Sequence, residues 1–144
     1  MTSLLIDTSV LIKWFHSDGE SEVAASRSLL DAAQVGEIQA HVIDLGYYEI
    51  GNVLLRSLGW SGSQVADQLI DLALICGAPL NVTMGWLREA AELGERFGLT
   101  YYDAAWGAVA RSLAIPLVSA DKQLLATGLA ESPTNVAQRL GLFL

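Results

Sequence analysis

Four carboxylates stand apart in a chain that otherwise uses charge sparingly: Asp7, Glu49, Asp103 and Asp121 lie among apolar residues, where a solvated surface acid is not expected. Asp7 closes the run Leu4-Leu5-Ile6 and leads through Thr8-Ser9 into Val10-Leu11-Ile12; Asp121 repeats the arrangement after Leu117-Val118-Ser119-Ala120. Each falls where a strand ends and a helix begins, which is the usual ligand crevice of an open α/β sheet. Helix capping accounts for either one alone, because a carboxylate accepts hydrogen bonds from free helix amides. Asp103 opens the small-residue segment Ala104 to Ala110, and a first-turn acid also suits the helix dipole. Glu49 lacks so simple an account. It sits inside an expected helix beside the core-facing set Ile50, Val53, Leu54 and Leu58, and a carboxylate at the edge of a buried face needs a partner. Asn52, three residues on, shares its face and offers one.

Taken together, the four are most economically explained as a cluster. Acids brought together repel one another, so a cluster persists near neutral pH only if some are protonated or a cation lies among them. Hard oxygen donors without Cys or His favour Mg²⁺ or Mn²⁺ over Zn²⁺. His16 and His41 have no metal-ligand spacing, and there is no convincing Ser/His or Cys/His arrangement for a side-chain nucleophile.

The elements that must position these acids follow from the apolar pattern. Four short runs read as strands: Leu4-Leu5-Ile6, Ala40 to Ile43, Leu80-Asn81-Val82 and Pro116 to Ser119. Helices are expected over about 8–15, 21–35, 44–58, 62–76, 84–97, 102–114 and 121–127, with Gly36, Gly59, Gly77 and Gly98 where helices should stop. Alternating strands and helices predict an α/β fold with a mainly parallel sheet of four to five strands covered on both faces. The piece Asn135 to Leu144 is the candidate for a last edge strand.

A chain of 144 residues, 52% hydrophobic and 17% charged, has the size and apolar content of one domain, taken as 1–144. The start lacks the basic and long apolar regions of a secretory signal, and no apolar stretch approaches the ~20 residues that span a bilayer. A soluble, cytoplasmic protein is expected, with the single Cys76 as a buried structural thiol. The net charge of −8 opposes phosphate binding through Lys and Arg, of which there are only eight. Bound divalent cations would relieve that objection.

The stretches Leu5-Ile6-Asp7-Thr8-Ser9-Val10, Glu49-Ile50-Gly51-Asn52-Val53-Leu54, Leu99-Thr100-Tyr101-Tyr102-Asp103-Ala104 and Leu117-Val118-Ser119-Ala120-Asp121-Lys122-Gln123-Leu124 carry a resemblance. In order and spacing the chain resembles the PIN-domain family, and more narrowly the VapC-like toxins of bacterial and archaeal toxin–antitoxin pairs. The resemblance implies a PIN-like three-layer α/β/α sandwich. It also implies that Asp7, Glu49, Asp103 and Asp121 coordinate one or two Mg²⁺ or Mn²⁺ ions and that the reaction is hydrolysis of RNA phosphodiesters. Ser119 stands where the family often has Thr, and Thr8 or Ser9 is placed to position a water. A homodimer is implied too, as is an antitoxin whose peptide lies in a groove near the active site. Trp14, Trp60, Trp86 and Trp106 suit such surfaces or the core. Which RNA is cut depends on scattered basic residues such as Lys13, Arg56, Arg111 and Lys122. Two rival readings remain at this stage. One is an aspartate-nucleophile phosphatase, which would want a second acid where the chain has Ser9; the other is a non-catalytic PIN-like module that only binds a protein.

Overall fold

The computed structural model describes residues 1–143. Its sheet has three parallel strands, β1 (Thr2–Ile6), β2 (Ile38–His41) and β3 (Leu117–Val118), in the order β2-β1-β3. Leu4, Leu5 and Ile6 are all fully buried, and because successive strand side chains point to opposite faces, β1 must be covered on both. The covering helices are α1 (Thr8–Phe15), α2 (Val23–Gln34), α3 (Asp44–Asn52), α4 (Gly62–Cys76), α5 (Met84–Phe97), α6 (Tyr101–Leu113), α7 (Lys122–Thr127) and α8 (Pro133–Arg139). Most of them begin on a residue whose side chain accepts a helix amide: Asp7, Ser61, Thr83, Thr100, Asp121 and Ser132. Gly98 adopts the left-handed conformation that closes α5. No helix among the described residues is long and apolar enough to cross a membrane.

Three expectations are corrected. The sheet has three strands rather than four to five. Leu80 pairs with Ile43 as a single bridge, its N–H donating to Val42 and its carbonyl accepting from Asp44. Pro79 on one side and the Thr83 cap of α5 on the other leave too few residues to extend it. At the other edge Glu131 makes one bridge to Val118, but Asn135 to Phe143 do not form a strand. Ser132 caps and Pro133 starts α8 instead, a placement that suits proline because the first helical turn does not need its missing N–H; Leu144 lies outside the described residues. Finally, the helix expected over 44–58 is α-helical only to Asn52. It continues as a π-turn over Val53–Ser57, where Leu58 N–H reaches the Val53 carbonyl.

Strand order places the functional region. The chain leaves β1 toward β2 on one side and returns to β3 on the other, so the connections diverge between the carboxyl ends of β1 and β3. A crevice opens at such a switch point, and Asp7 and Asp121 stand at its two sides.

Candidate active site

Two serines lace the strand ends together. Asp7 Oδ1 accepts from the Ser9 backbone N–H at 3.0 Å and from the Ser9 hydroxyl. The same Ser9 Oγ accepts from Ala120 N–H at 2.8 Å, which ties the start of α1 to the segment after β3. Ser119 Oγ, fully buried, lies 3.4 Å from Ser9 Oγ and accepts from Asp121 N–H at 3.0 Å. Asp121 in turn spends one oxygen, Oδ1, on the N–H groups of Gln123 and Leu124 at 2.9 and 3.0 Å. Capping is thus a true account of Asp7 and Asp121, but it uses one oxygen of each.

Glu49 is held from a direction the sequence reading did not find. Its Oε1 accepts from Thr8 Oγ1 at 2.9 Å and from Trp106 Nε1 at 3.1 Å. Asn52, expected to orient it, is exposed and makes no hydrogen bond to it: α3 turns its Asn52 side chain to solvent while Glu49 faces α1 and α6. Gly46 makes the Trp106 contact possible. A Cβ there would lie 2.9 Å from the Trp106 ring and 2.7 Å from Val42, so only glycine lets α3 approach this closely. The signal for Trp106 was present in its spacing, three residues after Asp103 on one helix face.

Electrostatics connect all four acids. Burial pushes the Asp7 carboxyl up to about 6; hydrogen bonds from Ser119 and Ser9 work against the rise, and the charge of Asp103 adds to it. Asp103, half-buried in the first turn of α6, is also raised, first by burial and then by the charges of Asp121 and Glu49, against a lowering contribution from Thr100. Asp103 therefore shares one field with acids from three other elements.

The donors available to a cation are hard carboxylate oxygens, and the repulsion among them is the condition that a cation relieves. Among the described residues no three His, Cys, Asp or Glu side chains close around a single point. An open cleft is lined by Ser9, Lys13, Glu20, Asp103, Asp121 and Lys122 among others; of the four acids Asp103 and Asp121 line it, and Asp7 and Glu49 do not.

The remaining singled-out residues lie elsewhere. His16 and His41 join no cluster of ligands among the described residues. Cys76 is buried, and burial pushes its thiol up to about 12, as a structural cysteine requires. Trp14 is buried with its N–H on the Ser26 carbonyl, and Trp86 donates to Ser112.

Over residues 4–128, a span holding all four acids, the sequence matches the family model of the PIN domain. No curated protein matches the sequence. Among solved structures, PAE2754 from Pyrobaculum aerophilum superposes with a TM-score of 0.70 at 26% identity, covering 97% of this chain and 90% of that one. A toxin–antitoxin complex from Klebsiella pneumoniae gives 0.65 at 18% identity over 90% of this chain and 97% of that chain. Mycobacterium tuberculosis VapC20, described as a sarcin-ricin loop cleaving toxin, gives 0.69 at 19% identity over 87% and 95%. With the family model matched over residues 4–128, most of its length, the chain belongs to the PIN-domain family.

Proposed function

We propose that this protein is a divalent-cation-dependent endoribonuclease and the toxin of a toxin–antitoxin pair, with Asp7, Glu49, Asp103 and Asp121 as its catalytic carboxylates and metal ligands. The observation that carries the reading is the PIN family match over residues 4–128, a span that holds all four acids, with Asp103 raised by the charges of Asp121 and Glu49 and itself raising Asp7. Acids from four elements whose charges reach one another are costly to the fold and useful to a reaction that must neutralise a phosphodiester. When bound, Mg²⁺ or Mn²⁺ supplies the positive charge that activates a hydrolytic water and offsets the charge of the cleaved phosphate.

The chain's own residues do the positioning. Thr8 and Trp106 fix the Glu49 carboxylate by two hydrogen bonds to one oxygen and leave the other for a ligand. Ser9 and Ser119 hold Asp7 and the backbone leading to Asp121. Ser119 thus fills the part that the family often gives to Thr, needing only its hydroxyl. RNA as substrate and an antitoxin as partner are supported by the likeness to VapC20 and to the Klebsiella toxin–antitoxin complex. The homodimer and the cytoplasmic setting follow from the same family reading.

The test is cleavage of total RNA by the purified protein with Mg²⁺ or Mn²⁺, beside reactions containing EDTA or the Asp103→Asn variant. The reading expects cleavage that both controls abolish. Cleavage surviving both overturns it, as does hydrolysis of small phosphomonoesters with RNA left intact. If no RNA is cut and Mn²⁺ leaves thermal stability unchanged, the protein is a binding module.

A further inference from the structure

We propose that Lys13 is a substrate-binding residue, its ammonium gripping an RNA phosphate beside the catalytic carboxylates and Glu20 holding it in readiness. The inference rests on the nuclease reading above and adds to it the group that binds the polyanion. Lys13 lines the same cleft as Asp103 and Asp121, yet it is only 4% exposed. It stands one helical turn after Ser9 on α1, so both residues face the cleft. Its Nζ donates to Glu20 Oε1 at 2.9 Å. An ammonium has three donors, and among the described residues this one bond is all that Lys13 Nζ makes.

A buried cation with two idle donors is a poor device for stability, since well-packed apolar residues commonly replace buried ion pairs without loss. Leu or Met at this position would extend the apolar run Val10 to Trp14 that already packs α1. The location of the charge is its distinguishing property. In a chain of net charge −8 the cleft lining holds two cations, and of these Lys122 is exposed whereas Lys13 is fixed in place. Glu20 is partly exposed at the rim, and its side chain retains 27% of its accessibility against 5% for Lys13. The Lys13 side chain keeps only 5% of its accessibility, so on this proposal a phosphate seated against the cleft wall takes the two idle donors while Glu20 keeps the third. Arg27 secures the backbone beneath, donating to the Lys13 carbonyl at 3.0 Å.

The experiment measures initial rates of Mn²⁺-dependent cleavage of bulk transfer and ribosomal RNA against RNA concentration and salt. The variants are Lys13→Met, Lys13→Gln, Lys13→Arg, Glu20→Gln and the Lys13→Met/Glu20→Gln pair, each with its melting temperature. Lys13→Met and Lys13→Gln should raise KM about tenfold with kcat little changed, as expected for loss of one charged hydrogen-bonding group. The slope of log KM against log salt should become shallower by about 0.7, the value of one phosphate contact on a single strand. Lys13→Arg should restore both. Glu20→Gln should raise KM in the Lys13 background, by less than loss of Lys13 itself, and have no effect in the Lys13→Met background. If Lys13→Met melts early while KM and the salt slope match wild type, the pair is purely structural and the proposal is overturned. Equal effects of Glu20→Gln in both backgrounds overturn it too. Should wild type cut no RNA at all, the nuclease reading fails and this one with it, whereas normal wild-type cleavage with unaffected Lys13 variants removes this proposal alone.

Discussion

Replacing Asp7 with Asn should stabilise the metal-free protein, and the size of the gain should depend on pH in a defined way. The carboxyl is 4% exposed and its pKa rises from an ordinary 3.8 to about 6, chiefly through burial. Below pH 3.8 the group is protonated in both folded and unfolded chains and has no effect. As pH rises the unfolded chain loses its proton first, so the folded state is progressively penalised until the cost levels off above pH 6. A shift of roughly 2 units at about 1.4 kcal/mol each gives a penalty of about 3 kcal/mol at pH 8, falling to ~1.6 at pH 5 and ~0.6 at pH 4. Asparagine keeps an Oδ1 acceptor for the Ser9 amide. The variant should therefore recover most of this penalty, which at this chain length is a melting-temperature gain on the order of 10 °C at pH 8. Urea denaturation in EDTA at pH 4, 5, 6 and 8 measures it. Mn²⁺ should then reverse the order of stability, raising wild type by ~2.7 kcal/mol at a hundredfold excess over Kd and the variant by far less. A variant equally stable or less stable than wild type at pH 8 in EDTA, with no pH dependence in the difference, would refute the reasoning that Asp7 is held as a strained, buried acid.

Other expectations follow from the same geometry. Gly46→Ala should destabilise the fold by about 1–3 kcal/mol, because its Cβ would press on Val42 and the Trp106 ring; a denaturation midpoint close to wild type would show that the approach of α3 to α6 is not as tight as described. Thr8→Val removes one of the two donors that orient Glu49, and its Mn²⁺-dependent RNA cleavage should drop roughly 10- to 100-fold with little change in melting temperature. Unchanged activity would dismiss Thr8 as a positioning residue. Cys76, buried with its thiol pushed up to about 12, should resist iodoacetamide at pH 8 in the native protein and react once urea unfolds it, as mass spectrometry will record.

The placement of two of the acids was easier to read from the sequence than the extent of the sheet. Asp7 and Asp121 were legible because each ends an apolar run at the start of a helix, and the sheet puts both where two parallel strands diverge. The edges of the sheet were not legible. Leu80-Asn81-Val82 has a strand's composition, yet Pro79 and the Thr83 cap confine its pairing to one residue, and Pro133 starts a helix where an apolar tail suggested a strand. Within the site, local spacing misassigned the partner of Glu49. Asn52 shares its face of an ideal helix, but Thr8 and Trp106 reach it from 41 and 57 residues away, contacts that only tertiary packing creates. Lys13 looked like one scattered cation among eight; its burial, which gives it interest, is invisible to composition.

The central claim, that four carboxylates act as one cation-binding centre, is tested most directly by titrating Mn²⁺ into the protein and into Asp7→Asn, Glu49→Gln, Asp103→Asn and Asp121→Asn, with free ion followed by electron paramagnetic resonance. The account predicts binding by wild type and a loss of roughly tenfold or more in affinity for each variant. Binding that is absent from wild type, or that survives all four substitutions unchanged, would contradict it.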